Sequence, residues 1–311
     1  MFRELILSVA DNSLVSGAVK RYGLKMGAAR FVAGEHLADA IAVTRQLQQE
    51  GIGVTLDHLG EGVKDRAAAG AACQSYLDLL DALDAAGLPG NVSVKLTMMG
   101  LGVDPALGFE NARRIVERAA AVSGPDGEPR CFVRVDMEDT PYTADTIAVY
   151  RRLADEVSPD RVGLVLQAYL YRTKDDLEAL SDRPRRIRIV KGAYREPAHL
   201  AYPSKADVDA NYLRLVAQAA SAGHIVAVAT HDEGIIRDVL QYFQRIHLPR
   251  ERYEFQMLYG IKLSVLRELA RAGHRTRVYV PYGEDWYAYF SRRLAERPAN
   301  VLFFARALIS R

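Results

Sequence analysis

The chain has 311 residues, of which 49% are hydrophobic and 26% are charged, and its formal net charge is +2. This length and hydrophobic content suffice for one large core, as in a single α/β barrel. The near-neutral charge, without a basic run interleaved with aromatic residues, excludes nucleic acid as a predicted partner.

Residues 1 to 50 begin the chain with a pattern typical of helices, interrupted by glycine and alanine. We predict that they form a helical arm packed on the remaining residues, 51 to 311. The first residues lack the long apolar region of a signal peptide, and no run approaches the roughly 18 apolar residues of a membrane span. The two cysteines fit neither a disulfide framework nor a zinc site. A cytoplasmic location is therefore predicted, with peripheral contact at the inner face of the cell membrane left open.

Eight short runs rich in valine, isoleucine and leucine follow, and each ends in polar residues. Continuous apolar runs of this length are typical of strands buried on both faces. In chain order they are IGVTLDHLGE (52–61), NVSVKLT (91–97), CFVRVDMED (131–139), RVGLVLQAY (161–169), RIRIVKGAY (186–194), HIVAVATHD (224–232), YEFQMLYG (253–260) and TRVYVPYGE (276–284).

Helical patterns separate these runs. The segment DRAAAGAACQSYLDLLDALDAAG follows the first run and ends with a glycine typical of a helix C-terminus. Eight strand–helix units in succession predict an α/β fold of the (β/α)8 TIM-barrel type. A doubly wound sheet is the alternative, but neither a Gly-x-Gly-x-x-Gly sequence nor a Walker A sequence is present.

In such barrels, catalytic groups come from the carboxyl ends of the strands. Polar side chains lie at nearly every one of these ends, which predicts a polar mouth over an apolar barrel. They include Asp57, Lys95, Asp136, Gln167, Lys191, Thr230, His231 and Tyr279, and Arg188 lies within the fifth run. The cations among them, without any metal-ligand spacing, favour an anionic substrate or cofactor over a metal ion.

Several of these residues also have a purely structural interpretation. Lys95 and Asp136 can form a salt bridge at the rim, and Asp57 can cap the following helix. His231 can be a core histidine with its hydrogen bonds satisfied. Arg188 points either into the barrel, where it needs a partner, or outward along a helix.

Near the end of the chain, the segment YFSRRLAE (289–296) raises a similar choice. On a helix, Tyr289, Arg292, Arg293 and Glu296 share one face. This face is either a solvated surface or a clamp for an anionic ligand.

Taken together, nine segments resemble the proline dehydrogenase family. In order they are DHLGE, SVKLT, VRVDMED, LQAYLYRT, RIVKGAY, ATHD, YEFQMLYG, VYVPYGE and YFSRRLAE. They cover most of the chain, and its length resembles the monofunctional bacterial form, with no room for a fused aldehyde dehydrogenase module.

The resemblance implies a distorted (β/α)8 barrel that binds FAD at the strand carboxyl ends, with the last helix over the barrel mouth. It implies catalytic roles for Asp136, beside the flavin and Lys95, and for Arg188, at the reactive flavin edge. Cofactor contacts are implied for Met137, Gln167, Arg188, Val190, Lys191, Gly192, Ala193, Thr230 and His231.

On the substrate side, the resemblance implies that Lys95, Arg292 and Arg293 hold the carboxylate of L-proline, with Glu296 orienting the two arginines. Two guanidiniums grip a carboxylate in a fixed orientation, which lysines do less well. Leu258, Tyr279 and Tyr289 are implied to wall the pyrrolidine ring.

The implied reaction passes a hydride from proline C5 to FAD N5 and yields 1-pyrroline-5-carboxylate, the first step of proline catabolism to glutamate. The implied electron acceptor is a quinone, and a separate pyrroline-5-carboxylate dehydrogenase is an implied transient partner. The alternative enzyme is a Schiff-base aldolase that uses Lys95 or Lys191. A non-enzymatic binder of amino acids or nucleotides is a third hypothesis.

Overall fold

Eight parallel strands form a closed barrel in which each strand pairs with the next and the last pairs with the first. The structure, a computed structural model, describes residues 28–60, 62–122, 130–287 and 289–291. The strands are β1 Gly53–His58, β2 Gly90–Val94, β3 Cys131–Val135, β4 Val162–Gln167, β5 Arg186–Val190, β6 Ile225–Ala229, β7 Tyr253–Leu258 and β8 Thr276–Tyr282. Seven of them lie within the predicted runs, and β2 begins one residue before its run, at Gly90, so the predicted barrel is confirmed.

Helices connect consecutive strands and cover the outside of the barrel. They are α1 Leu37–Gln49, α2 Arg66–Ala85, α3 Pro105–Ala121, α4 Thr140–Arg152, α5 Thr173–Ala179, α6 Lys205–Ser221, α7 Glu233–Arg245 and α8 Leu263–Arg271. A π-helical turn, Leu153–Val157, extends α4, and short 3-10 turns lie at Ala28–Arg30 and Arg250–Arg252. Helix α1 precedes the barrel and packs against β1 and β8, where it covers the seam between the first and last strands.

Local sequence explains where several helices begin. The side chains of Asp65, Asp104, Ser204 and Asp232 each accept a hydrogen bond from a backbone N–H in the first turn of the helix that follows. These bonds satisfy donors that have no partner within the helix. Because Asp65 caps α2, the suggested capping role for Asp57 is wrong.

The interior of the barrel is polar, unlike the predicted apolar barrel beneath a polar mouth. Arg188 of β5 donates a 3.1 Å hydrogen bond across the barrel to the hydroxyl of Ser93 in β2. Nearer the amino ends of the strands, Arg277 of β8 pairs with Glu254 of β7, Nε to Oε1, at 3.0 Å. The apolar residues of the strands instead point outward and form the main core with the helices.

A second apolar cluster lies at the barrel mouth. It consists of Phe31, Val32, Leu59, Ile261, Trp286, Tyr289 and Phe290. Leu59 and Ile261 follow the carboxyl ends of β1 and β7, so the helical residues at 286–287 and 289–291 begin over the mouth, as predicted for the last helix. The indole N–H of Trp286 donates to Glu35 Oε1 at 2.9 Å, which ties this turn to the segment before α1.

Candidate active site at the barrel mouth

Two ion pairs and a tyrosine form a network at the centre of the mouth. Lys95, directly after β2, donates to both carboxylate oxygens of Asp57 at 2.8 and 3.0 Å. Arg188 donates to Asp136 Oδ1 at 3.0 Å, and the Tyr279 hydroxyl donates to Asp136 Oδ2 at 3.0 Å. Side chains on or directly after five strands (β1, β2, β3, β5 and β8) therefore converge, with two cations balanced by two carboxylates.

The partner of Lys95 differs from the sequence-based interpretation, which paired it with Asp136. Strands β1 and β2 are neighbours, so the inward-pointing Asp57 and Lys95 meet directly, while Asp136 turns to Arg188 and Tyr279. Burial by itself would lower the pKa of Lys95, but the negative charges of Asp57 and Asp136 raise it. Lys95 is thus held as an ammonium ion.

Arg188 lies inside the barrel, with 4% of its side chain exposed. Its Nη1 bonds to Asp136 and Ser93, whereas its buried Nε and Nη2 have no hydrogen-bond partner in the described protein. Its guanidinium carbon also lies 5.5 Å from the centre of the Tyr279 ring. A buried guanidinium with unused donors suits a ligand rich in hydrogen-bond acceptors.

Just after β5, the exposed backbone of Gly192 and Ala193 forms a cradle, the Gly192 cradle. Gly192 has φ 125°, and a Cβ at this position would collide with the ring of Tyr169. Gln167, buried at the end of β4, donates to the carbonyl of Glu138 at 2.8 Å and accepts from the N–H of Ala193 at 3.4 Å. Glycine therefore lets the chain pass close beside an aromatic ring at the strand ends.

These features fit a flavin. The exposed backbone at Gly192 and Ala193 admits close approach of a ligand, and the unused Arg188 donors can bind the acceptor atoms along the edge of its ring. Tyr169, whose pKa is raised by burial so that it stays a neutral phenol, borders the same cradle.

Lys191 is held by two carboxylates. Its ammonium group forms ion pairs with Asp209 of α6 and with Asp232, the N-cap of α7, the latter at 3.1 Å. Lys205 joins the same two carboxylates. Burial opposes ionisation of Asp232, but the hydrogen bond and charge of Lys191 together with the backbone N–H of Ile235 lower its pKa to about 2.

The remaining predicted cofactor contacts lie around the same rim. Thr230 is buried and accepts a hydrogen bond from the N–H of Asp232 at 3.1 Å. His231 Nε2 accepts from the N–H of Leu258 at 2.9 Å, which joins the ends of β6 and β7. Met137 is buried after β3, and Val190 is half-buried at the end of β5.

The predicted wall of the substrate pocket is partly in place. Tyr289 is buried in the mouth cluster, and Leu258 packs against that cluster from the end of β7. Tyr279 reaches the network from β8. The predicted clamp residues Arg292, Arg293 and Glu296 lie outside the described residues.

Electrostatics at the mouth differ from the predicted excess of cations. Among the described residues, Lys95, Arg188 and Lys191 each pair with at least one carboxylate. A Schiff-base lysine requires a lowered pKa so that the neutral amine is present. The raised pKa of Lys95 and the two carboxylates on Lys191 therefore oppose the aldolase alternative.

Sequence reasoning named Asp57 only as a strand-end residue or a helix cap, and it missed Ser93 and Tyr169. Asp57 holds Lys95, Ser93 holds Arg188, and Tyr169 borders the Gly192 cradle. The sequence signal for Asp57 and Ser93 was their position along the strand. Each faces inward near the carboxyl end of a strand, and each is separated by one residue from another buried polar or charged group.

Within the described part of the chain, no helix combines the length and the apolar composition that crossing a membrane requires. Nor do these residues contain a group of three or more His, Cys, Asp or Glu placed to hold a metal ion.

Comparisons with known proteins converge on one family. A model of the proline dehydrogenase family matches residues 40–306. The chain is 43% identical to a proline dehydrogenase of Deinococcus radiodurans, over 99% of this chain and 98% of that protein. It is 36% identical to proline dehydrogenase 1 of Bacillus subtilis, over 100% of both chains.

Solved structures give the same result for the fold. Proline utilization A from Bdellovibrio bacteriovorus, inactivated by N-propargylglycine, superimposes with a TM-score of 0.80 and 26% identity over 91% of this chain. Proline utilization A from Bradyrhizobium japonicum has a TM-score of 0.73 at 23% identity, which shows the shared fold. The chain spans about a third of the length of both proteins, 34% and 33%.

Proposed function

This chain belongs to the proline dehydrogenase family, and on that premise we propose that it oxidises L-proline to 1-pyrroline-5-carboxylate with FAD bound at the barrel mouth. The observation that carries the proposal is the network of Lys95, Asp57, Arg188, Asp136 and Tyr279. It presents an ammonium ion and a guanidinium with unused donors at the strand ends, where barrel enzymes place their chemistry. We also propose that residues 1–50 form an arm and residues 51–311 the catalytic barrel.

Lys95 is proposed to bind the substrate carboxylate. An ammonium group has three donors, and Asp57 orients this one through two hydrogen bonds, which leaves a donor for the ligand. Arg292 and Arg293 are proposed to complete the clamp, with Glu296 orienting them, because adjacent guanidiniums fix the plane of a carboxylate.

The residues proposed to hold FAD are Arg188, Gln167, Gly192 and their neighbours Met137, Val190, Lys191, Ala193, Thr230 and His231. Arg188 has the unused donors, and the exposed backbone of Gly192 can be approached by a ligand. The chemistry that FAD supplies when bound is the acceptance of two electrons, as a hydride from proline C5 to N5.

Aromatic and aliphatic side chains are proposed to enclose the proline ring. Tyr279 and Tyr289, with Leu258, surround the mouth from β8, the last helical segment and β7. Their apolar surfaces would exclude water from the reacting carbon and disfavour a ring that carries a hydroxyl group. Positioning by this wall and by the carboxylate clamp holds C5 in a reactive orientation.

Proton release accompanies the reaction, since the substrate amine must be neutral before a C=N bond can form. No residue is assigned as a dedicated base. Asp136 is proposed to keep Arg188 and Tyr279 in place, because its two oxygens accept from both.

The proposed electron acceptor is a membrane quinone, which would bring a cytoplasmic protein to the membrane surface. The product is proposed to pass to a separate pyrroline-5-carboxylate dehydrogenase, with transient contact between the two proteins.

The direct test is anaerobic addition of L-proline to the purified holoprotein. We expect a yellow protein whose flavin absorbance bleaches, with pyrroline-5-carboxylate trapped by o-aminobenzaldehyde. Lys95→Met should retain the flavin spectrum but raise the proline KM at least about tenfold, since a hydrogen bond to a charged group is lost.

The matched control is Lys174→Met, which removes an exposed lysine on α5 and should leave the KM unchanged. A colourless protein, or a yellow one that proline does not bleach, would contradict the proposed reaction. An unchanged KM in Lys95→Met would contradict only the assignment of the carboxylate clamp.

A further inference from the structure

The opposite end of the barrel contains a cavity, remote from the mouth. Its volume is about 530 Å³, within the range of small-molecule sites. Residues at or just before the start of every strand line it, together with Gln48 of α1 and Pro89. The cavity is therefore built by the barrel itself and not by one surface loop.

Positive charge dominates this cavity. Six arginines line it, against two carboxylates, Asp160 and Glu254. The arginines are Arg130, Arg134, Arg161, Arg186, Arg275 and Arg277. Among the described charged residues that line the cavity, Arg277 forms an ion pair with Glu254, with Nε–Oε distances of 3.0 and 3.2 Å. Four guanidiniums therefore remain in excess in a chain whose total net charge is only +2.

Arg134 is the most deeply placed of the six, with 4% of its surface exposed. Its Nη1 donates to the carbonyl of Arg186 at 2.8 Å, while its buried Nε has no hydrogen-bond partner in the described protein. Gly163 makes room for it, because a Cβ there would collide with the guanidinium. Burial and the neighbouring charge of Arg188 lower the pKa of Arg134 to about 9. A buried cation without its own carboxylate is costly unless a counter-charge offsets it.

Other arginines of the set use carbonyl oxygens in place of carboxylates. Arg275 donates to the carbonyl of Glu251 at 2.9 Å, and Arg161 donates to the carbonyl of Cys131 at 3.3 Å. Arg186 lies over the ring of Phe132 at 5.4 Å, with Arg134 at 4.8 Å from the same ring. Carbonyls and a ring orient these guanidiniums but do not neutralise their charge.

We propose that this cavity, the basal arginine cavity, binds a small anion that carries at least two phosphate groups. Guanidinium groups bind phosphate oxygens in pairs and in fixed orientation, and several around one cavity match a compact multivalent anion. Inorganic polyphosphate and the phosphate chain of a nucleotide share this chemistry.

The test is isothermal titration calorimetry of the flavin-loaded protein with sodium pyrophosphate, tripolyphosphate, ADP and citrate at matched ionic strength. We expect saturable binding of one pyrophosphate or tripolyphosphate per chain. Tighter binding of ADP than of pyrophosphate and tripolyphosphate would identify a nucleotide as the ligand. Equal or weaker binding of ADP would identify inorganic polyphosphate as the ligand.

The variant Arg186→Gln/Arg275→Gln removes two accessible guanidiniums and leaves the buried Arg134 in place. It should weaken binding at least about tenfold, the effect of losing hydrogen bonds to a charged group. Proline oxidation by this variant should stay at the wild-type rate, since the cavity lies at the other end of the barrel. An unchanged rate also verifies that the variant is folded. The control Arg237→Gln removes an exposed arginine on α7 and should bind pyrophosphate as the wild type does.

Three results would overturn the proposal. Absence of saturable binding for every phosphate tested would show that the arginines have a structural role in the barrel and bind no phosphate ligand. Equal weakening in Arg237→Gln and in the double variant would show nonspecific attraction, and tighter binding of citrate than of any phosphate would assign the cavity to carboxylates.

Discussion

Single residues at the mouth act through partners that lie far away in the sequence. Lys95 and Asp57 are 38 positions apart, yet they form a buried bidentate ion pair because their strands are neighbours. Arg188 and Asp136 are 52 positions apart and meet across the barrel interior. In each pair one partner fixes the geometry of the other, so the carboxylates are positioning residues for the two cations.

At Asp57 we expect the substitution Asp57→Asn to raise the proline KM at least about fivefold while kcat changes less, because Lys95 loses its orienting charge. Loss of one charge from a buried pair should also lower the free energy of unfolding by about 3–5 kcal/mol. Steady-state kinetics and urea unfolding measure the two effects. The alkaline limb of the profile of kcat/KM against pH should move to lower pH, since the negative charge of Asp57 helps to raise the Lys95 pKa.

A purely structural role for Asp57 would lower stability without moving either the KM or the pH profile. Asp78→Asn is the matched control, because this exposed aspartate on α2 accepts a hydrogen bond from Gln74 and lies outside the mouth. It should leave both kinetic measurements unchanged.

Elements of the barrel are joined by buried polar side chains as well as by backbone pairing. His224, directly before β6, accepts a hydrogen bond at Nδ1 from the N–H of Arg185 at 3.0 Å. Its Nε2 lies 3.2 Å from the hydroxyl of Ser181, just after α5. Since Nδ1 accepts, the neutral ring donates from Nε2, and the histidine links α5 to the starts of β5 and β6.

Protonation of His224 should weaken this junction. Burial, with the nearby charges of Arg185 and Arg252, lowers its pKa to about 4 in the folded protein. An unfolded histidine has a pKa of about 6.5, so the unfolded state binds the proton preferentially as the pH falls from about 6.5 to 4. We expect this residue to account for a stability loss of roughly 1–2 kcal/mol between pH 7 and pH 5.

Urea unfolding of the wild type and His224→Asn at pH 7 and pH 5 measures this effect. The variant should be less stable at pH 7 but should lose less stability on acidification. His247→Asn is the control, because His247 is exposed and its φ of 51° suits asparagine. Equal pH dependence in the wild type and His224→Asn would contradict the assignment.

For the whole molecule, the polar interior divides the barrel into two chemical ends. The mouth balances Lys95 and Arg188 against two carboxylates, whereas the basal arginine cavity holds an excess of guanidiniums around Glu254. Arg277 also donates to the carbonyl of Val54 at 2.9 Å, so its pair with Glu254 spans β7, β8 and β1 at the closure of the barrel.

Acid should therefore destabilise the closed barrel through Glu254. Burial opposes its ionisation, but Arg277 and Arg134 lower its pKa to about 2. A lowered carboxyl pKa provides stability above the unfolded value of about 4.3, and this stability is lost as the pH falls toward 2. We expect Glu254→Gln to cost about 3 kcal/mol at pH 7, because Arg277, whose side chain is 18% exposed, loses its counter-charge.

Thermal unfolding of Glu254→Gln across pH 2 to 7 measures this contribution. The variant should show a smaller loss of stability than the wild type between about pH 4.3 and pH 2. Glu117→Gln, at an exposed pair with Arg113 on α3, is the control and should cost less than about 1 kcal/mol. A similar loss of stability in both variants would contradict the stabilising role assigned to Glu254 at the closure of the barrel.

The sequence by itself determined the alternation of eight strands and helices, their order and the family resemblance. These features depend on local hydrophobic periodicity and on short segments such as RIVKGAY, which are read along the chain. It also placed Lys95 and Tyr279 near strand ends and Arg188 within a strand, since the position of a residue along a strand is itself a local feature.

Only the tertiary structure decided which residues meet. Asp57 was interpreted as a helix cap, and Arg134, Glu254 and Arg277 received no interior role, because a run of apolar residues does not show what the alternating side chains face. Closure of the barrel turns these side chains inward and sets their neighbours through strand adjacency and register. Ion pairs and hydrogen bonds between residues tens to hundreds of positions apart are a consequence of that closure. For this reason the network at the mouth and the basal arginine cavity emerge only in three dimensions.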